Sequence, residues 1–172
     1  GNIRQVPAGG RVAKLAKGET LLVFKVRVTE PNDWYNGQTY LDTLNHDAVK
    51  EFIRVTHDAY RRNIGADFGR TVPGIFTDEP NMGGVCGDWW GPRITATAWT
   101  DRVPQVFRKR YGYDLVPHLP EIFLNIDGST MSRARYHYMD CVTHLFSDAF
   151  CRQIGEWCEK NGMLFTGHVL EE

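Results

Sequence analysis

Hydrophobic and polar positions follow first a strand period and then a helix period in the first half of the chain. Residues 21–28, LLVFKVRV, place Lys and Arg between apolar side chains, a pattern that predicts a half-buried strand. Asn45 is a predicted helix N-cap, and side chains at helical spacing follow it as far as Gly65, where the helix is expected to stop. Residues 72–78, VPGIFTD, are apolar on both faces, as expected of a parallel strand that is covered on both sides.

The second half of the chain is mainly helical by the same criteria. A helix is predicted from Asp101, as its N-cap, to Gly112, with Pro104 in the first turn. Two prolines interrupt residues 113–123, so this stretch is predicted to be a loop with a short helical turn. Residues 132–161 repeat apolar side chains every three or four positions and predict a long helix that an Asn-Gly pair closes.

A second doubly apolar run, residues 163–169 (MLFTGHV), predicts another strand near the end of the chain. Strands that alternate with helices indicate an α/β fold, with parallel strands and helical crossovers. Two architectures fit, an open doubly wound sheet or part of a (β/α)8 (TIM) barrel. Because a whole barrel usually takes ~250 residues and the chain has 172, we expect a partial barrel from a larger protein. Residues 1–39 would supply a first strand with loops, and residues 40–172 the βα units that carry the site.

Composition and charge narrow the range of partners. The chain is 42% hydrophobic and 24% charged with a net charge of −1, which argues against nucleic acid or an anionic membrane surface as the main partner. No apolar run approaches the ~20 residues of a membrane-spanning helix. The four cysteines form no CxxC pair, and we expect them to act as small buried apolar side chains.

Acidic side chains follow both predicted parallel strands. Asp78 and Glu79 end the first strand, whereas His168, Glu171 and Glu172 follow the second. Because the carboxyl ends of parallel strands lie at one edge of a sheet, we expect these side chains to converge. Paired-carboxylate chemistry needs two acids ~5–9.5 Å apart, one protonated and one ionised, and acids from neighbouring strand ends can meet that spacing.

Asp78 and Glu79 make a poor pair with each other, since successive side chains of a strand point to opposite faces. Pro80 favours an extended backbone at Glu79, so alternation predicts Glu79 on the face of Thr77 and Asp78 on the other face. One acid therefore faces the site, and the other orients a neighbour or binds from the side. A structural alternative stays open, in which the acids cap a helix or bind loop amides.

The loop of residues 81–92 is rich in glycine and contains Trp89 and Trp90. It has no GxxxxGK[ST] phosphate-binding pattern, whereas tryptophan beside glycine suits a platform on which a sugar ring stacks. Further aromatic side chains that could extend such a platform are Trp34, Tyr35 and Trp99. The sequence supports equally well the alternative that these rings only hold a long loop in place. The six histidines contain no HExxH pattern, which argues against a zinc site.

Several longer stretches resemble a known family. They are the block YLDTLNHDAVKEFIRVTHDAYRRNIGADFGRTVPGIFTDEP and, after it, WTDRVPQVFRKRYGYDL, LPEIF and the segment that ends in WCEKNGMLFTGHVLEE. All of them resemble large bacterial glycoside hydrolases related to family 106, the α-L-rhamnosidase-like enzymes. The resemblance covers the chain from about Tyr40 to its end. Its most specific pieces are FTDEP, RYGYDL and the TGH that follows WCEKNG.

The resemblance implies a catalytic (β/α)8 barrel that cleaves glycosidic bonds in polysaccharides, within a longer multidomain chain that is periplasmic or secreted. It implies that Glu79 is the general acid and that Asp78 stands where related barrels use asparagine to contact the sugar. From their place after the second strand, His168 and Glu171 are further expected substrate contacts. For the second carboxylate the resemblance suggests Glu172 or Glu171, with an acid on a later strand equally allowed. The relatives are inverting and associated with calcium, so calcium is the one cofactor implied.

Two other functions remain open on the sequence. The chain could be a non-catalytic carbohydrate-binding piece of a barrel, with Trp89 and Trp90 as its platform. Alternatively, Asp78, Glu79 and His168 could serve a metal-dependent hydrolase.

Overall fold

The described residues contain a two-stranded parallel sheet with helices packed against one face. The computed structural model describes residues 4–6, 10, 14–82, 96–128 and 131–169. Strand β1 is Gly74–Thr77 and strand β2 is Leu164–Gly167; they pair in parallel from Gly74 opposite Leu164 to Thr77 opposite Gly167. The described residues between them form mainly helices, which confirms the predicted α/β fold with a parallel pairing and a helical crossover.

The helix before β1 begins where the sequence predicts. Helix α1 is His46–Phe52, a π-helical segment follows at Ile53–His57, and helix α2 is Asp58–Ile64. The side chain of Asn45 caps α1 by accepting hydrogen bonds from two backbone N–H groups of its first turn. Gly65 ends α2 by starting a short 3-10 turn and not by adopting a left-handed conformation.

Two short helices form the first part of the crossover. Helix α3 is Val103–Tyr111, and its N-cap is Arg102, one residue later than predicted. Gly112 ends α3 with a φ of 79°, a conformation that glycine adopts without steric cost. Helix α4, Leu119–Phe123, follows a 3-10 turn, which confirms the predicted loop with a short helical turn.

The long predicted helix is present with an internal irregularity. Helix α5 is Arg133–Phe146, a π-helical segment covers Ser147–Arg152, and helix α6 is Gln153–Lys160. The side chain of Ser132 caps α5. The helix ends at the predicted Asn-Gly pair, where the glycine has a φ of 66°.

Two apolar clusters hold these elements together. The first lies between α3, α4 and α5 and is made of Leu44, Ala98, Val103, Phe107, Leu115, Ile122, Tyr138, Cys141, Val142 and Leu145. The second joins α1 and α6 to the sheet and is made of Val49, Ile53, Ala149, Phe150, Ile154, Cys158 and Met163. Phe146 packs against both clusters. Of the cysteines in the described residues, Cys141 and Cys158 are buried as predicted, and all three are free thiols.

Residues 21–28 do not form the predicted strand. They have no regular secondary structure, and the exposed fractions of Val23 and Val28 are 79% and 82%. Alternation makes a segment compatible with a sheet, but a strand needs a neighbour for its backbone hydrogen bonds. In the described part of the chain, β1 and β2 pair with each other and neither pairs with this segment.

The sheet is covered on one face within the described residues. Ile75 and Phe165, which are opposite each other, pack against the cluster beneath α1 and α6. Phe76 and Leu164 lie on the other face and are 56% and 70% exposed. The prediction that both strands are covered on both sides is therefore wrong for the described residues. Among the helices of these residues, each is too short or too polar to cross a membrane.

Candidate active site

The carboxyl ends of β1 and β2 lie side by side, as the sequence predicts for parallel strands. The backbone N–H of His168 donates a hydrogen bond to the Thr77 carbonyl oxygen at 3.1 Å. The two strands approach so closely here that a Cβ atom on Gly167 would overlap the Thr77 carbonyl oxygen and lie 2.8 Å from Thr77 Oγ1. A glycine at this position is therefore required by space, and it brings the residues that follow both strands together.

Asp78 and His168 meet directly at this edge. His168 Nδ1 lies 3.4 Å from Asp78 Oδ1, and the imidazole packs edge-on against the Phe76 ring with 5.0 Å between centroids. Both side chains are exposed, at 54% for His168 and 77% for Asp78, so the pair adds little to stability. The contact shows that the two side chains lie within reach of each other at the strand ends.

Glu79 departs from the conformation that the sequence predicts. Its φ is 44°, which is left-handed backbone space that residues other than glycine seldom occupy. Strand β1 ends at Thr77, so side-chain alternation does not extend to Glu79, and the predicted extended backbone there is wrong. Pro80 disfavours the right-handed helical region at the preceding residue, but it leaves the left-handed region open. Non-glycine residues of this kind cluster at active sites.

The segment after Glu79 is fixed by side chains from the start of the first helical unit. The Tyr40 hydroxyl oxygen accepts a hydrogen bond from the backbone N–H of Asn81 at 3.0 Å. The Thr43 hydroxyl donates to the carbonyl oxygen of Asn81 at 2.7 Å. The sequence predicts neither contact, because about 40 residues separate the partners and neither Tyr nor Thr carries a catalytic motif here.

The aromatic side chains proposed as a sugar platform differ in their surroundings. Trp34 is 88% exposed on a 3-10 turn, Asp33–Tyr35. Tyr35 packs against Tyr40 with 5.3 Å between ring centroids, which joins this turn to the residues that hold Asn81. Trp99 packs against the first apolar cluster. The remaining candidates, Trp89, Trp90, Glu171 and Glu172, lie outside the described residues.

The described residues do not bring together three or more His, Cys, Asp or Glu side chains in the way that a metal ion requires. Asp78, Glu79 and His168, on which the metal-dependent alternative relies, therefore do not form such a group. The calcium implied by the family resemblance would therefore find no cluster of three such side chains among the described residues.

One family model and one solved structure match the chain. A family model described as alpha-L-rhamnosidase, glycoside hydrolase family 106, matches residues 30–171. The solved structure of a rhamnosidase from Novosphingobium sp. PP1Y is similar in fold, with a TM-score of 0.57 and 21% sequence identity. The match covers 78% of this chain and 12% of that one. No curated protein matches the chain. Since the family model covers well over half of its length, the chain belongs to glycoside hydrolase family 106, the alpha-L-rhamnosidase family.

Proposed function

We propose that the chain is part of the catalytic domain of a glycoside hydrolase that cleaves α-L-rhamnosides, with Glu79 as the general acid. The observation that carries the proposal is the left-handed backbone of Glu79 at the carboxyl end of a parallel strand. In α/β folds this edge is where ligands bind. A carboxylate that is held there in an unfavourable conformation has a role that stability alone does not explain. The family of the chain supplies the reaction class.

In this role Glu79 donates a proton to the glycosidic oxygen while the bond between that oxygen and the anomeric carbon breaks. Protonation lets the aglycone leave as an alcohol and not as an alkoxide. The Asp78–His168 pair lies at the same edge and would contact the sugar hydroxyls, since a carboxylate accepts hydrogen bonds and an imidazole N–H donates them. Trp34, Trp89 and Trp90 are the proposed aromatic contacts to the sugar rings.

The second carboxylate acts on the anomeric carbon, either directly or by activating water. We propose Glu172 or Glu171 for it, because the residues after β2 follow the strand that is paired with β1. An acid on a strand of the longer protein would serve equally.

We also propose that the chain is a partial (β/α)8 barrel, in which residues 1–39 precede the βα units of residues 40–172. The exposed apolar side chains of Phe76 and Leu164 support this, because the inner face of such a barrel is packed with apolar side chains. The 12% coverage of the structurally similar rhamnosidase supports a much longer parent protein. On this proposal the isolated 172 residues are inactive, and hydrolysis by them at the rate of the parent would contradict it.

The test is Glu79→Gln in the catalytically active longer enzyme, with two α-L-rhamnosides that differ in their leaving group. A poor leaving group such as methanol needs protonation, so we expect kcat on methyl α-L-rhamnoside to fall by about 10²- to 10⁴-fold. The 2,4-dinitrophenyl rhamnoside leaves without a proton and should be hydrolysed at nearly the wild-type rate.

Glu159→Gln is the matched control. Glu159 is an exposed carboxylate in α6, which leads into the amino end of β2 and thus lies away from the carboxyl edge of the sheet. The control should leave both rates unchanged. If Glu79→Gln hydrolyses both substrates at the wild-type rate, Glu79 is not the acid; if binding of rhamnosides is retained by a parent that never hydrolyses them, the chain is a carbohydrate-binding piece.

A further inference from the structure

Both backbone polar groups of Asn81, two residues after Glu79, are held by side chains from one distant segment. We propose that Tyr40 and Thr43 are positioning residues, which hold the Glu79 carboxyl where it transfers its proton. The inference rests on the proposed role of Glu79. Its direct basis is the pair of hydrogen bonds that Asn81 makes, at 3.0 Å with the Tyr40 hydroxyl and at 2.7 Å with the Thr43 hydroxyl. We call these two contacts the Asn81 clamp.

Thr43, one of the two residues that form the clamp, belongs to a packed part of the fold. Thr43 is 2% exposed, and Leu44 beside it is 1% exposed in the first apolar cluster. The Leu44 N–H donates to Asp42 Oδ1 at 3.1 Å, and Asn45 caps α1 immediately afterwards. The Thr43 hydroxyl on such a framework has little freedom to move, and Tyr40, which is partly buried, packs against Tyr35. The clamp therefore transmits the position of the core to Asn81 mainly through Thr43.

The clamp and the sheet fix Glu79 from both sides. On the side that precedes Glu79, Thr77 is tied to β2 by the hydrogen bond from the His168 N–H at 3.1 Å. On the other side Asn81 is tied by the clamp, and Pro80 between them restricts the backbone further. A φ of 44° at a glutamate persists only where its surroundings over-determine it. Without the clamp, Glu79 is free to relax toward the extended conformation that a residue before proline prefers.

Such a relaxation moves the carboxyl away from the glycosidic oxygen while leaving the acid itself intact. Misplacing a catalytic group by about 1 Å costs about 100-fold in rate. The loss falls on the proton transfer, so it depends on how strongly the leaving group needs a proton. A residue that only stabilises the fold lowers the amount of folded enzyme and affects all substrates equally, which gives the experiment its contrast.

The experiment uses the active longer enzyme with Tyr40→Phe, Thr43→Val and the combination of both. We expect the combined variant to lose about 100-fold in kcat/KM on methyl α-L-rhamnoside and little on the 2,4-dinitrophenyl rhamnoside. Thr43→Ser keeps the hydroxyl and should restore the ratio of the two rates. The matched control is Tyr111→Phe, which removes a hydroxyl hydrogen bond to Asp140 between α3 and α5 and should leave the ratio unchanged.

The role of the clamp would be overturned if the folded combined variant kept the wild-type ratio of the rates on the two substrates. This holds whether both rates are unchanged or both fall equally. If the combined variant does not fold, Tyr40→Phe alone decides between these outcomes, because it removes one oxygen and keeps the ring. The Glu79→Gln variant separates this inference from the proposed function. If that variant discriminates between the leaving groups and the clamp variants do not, only the positioning role fails; if it does not discriminate, the proposed function fails first.

Discussion

The close approach of the two strand ends leads to a prediction about Gly167. In Gly167→Ala, the added methyl group would overlap the Thr77 carbonyl oxygen and lie 3.0 Å from the Thr77 carbonyl carbon. Carbon atoms in favourable contact are about 3.5–4.0 Å apart, so the strand ends must separate by more than half an ångström. The movement works against the hydrogen bond from His168 to Thr77 and against the Asp78–His168 contact that follows it.

The magnitude follows from these two losses. Inserting a methyl group into a packed position costs typically about 1–3 kcal/mol. A lost backbone hydrogen bond adds about 1 kcal/mol. We therefore expect Gly167→Ala to lower the free energy of unfolding by about 2–4 kcal/mol, with a fall in Tm of roughly 5–15 °C for a chain of this size.

Urea unfolding of the chain, followed by circular dichroism, measures the effect against a second glycine. Gly155 lies inside α6, where an added Cβ would have its nearest contact at an ordinary 3.7 Å from Phe165. Because alanine is more favourable than glycine in the interior of a helix, Gly155→Ala should raise the free energy of unfolding by about 0.5–1 kcal/mol. The same chemical change should thus have opposite signs at the two sites. A Gly167→Ala chain as stable as the wild type would refute the reasoning.

Three further predictions follow from single contacts. Burial lowers the pKa of His57, whose two ring nitrogens have no hydrogen-bond partner among the described residues. Below the unfolded-state pKa of about 6.5, the unfolded chain therefore binds a proton at His57 that the folded chain excludes. The free energy of unfolding consequently decreases as the pH is lowered from 7 to 5. His57→Phe should weaken that dependence, and parallel unfolding curves of the two proteins between pH 7 and 5 would contradict it. Asn45→Ala removes the hydrogen bonds to the backbone of Asp47 and Ala48 and should destabilise the chain by about 1 kcal/mol in urea, whereas no change would mean that α1 needs no cap. Trp34→Ala should change the free energy of unfolding by less than about 0.5 kcal/mol, because the side chain is 88% exposed, and a larger loss would show that it packs in solution.

The features that the sequence predicts well are those set by neighbouring residues. Asn45 and Gly112 mark helix ends because a cap and a left-handed glycine act on the adjacent turn. The parallel pairing of β1 and β2 was predictable because a helical crossover of this length returns the chain in the same direction. The proximity of Asp78 and His168 then follows from the parallel pairing.

The features that the sequence does not predict depend on distant residues. Residues 21–28 alternate as a strand does, but alternation carries no information about the strand beside which they would lie. Glu79 precedes a proline and was expected to be extended, yet its φ is 44°, and Asn81 two residues later makes hydrogen bonds with Tyr40 and Thr43. Such contacts join residues about 40 positions apart, and no local rule of spacing identifies them.

The left-handed backbone of Glu79 also has a consequence for how this position evolves. Glycine relieves the steric strain of a positive φ, so selection for stability alone favours Glu79→Gly, by about 1 kcal/mol. If Glu79 is the general acid, as proposed, selection for hydrolysis favours a carboxyl group that glycine lacks. On that proposal, a library of variants at this position should enrich glycine when it is sorted for stability and glutamate when it is sorted for turnover. This is the trade-off expected where a catalytic side chain stands on a strained backbone.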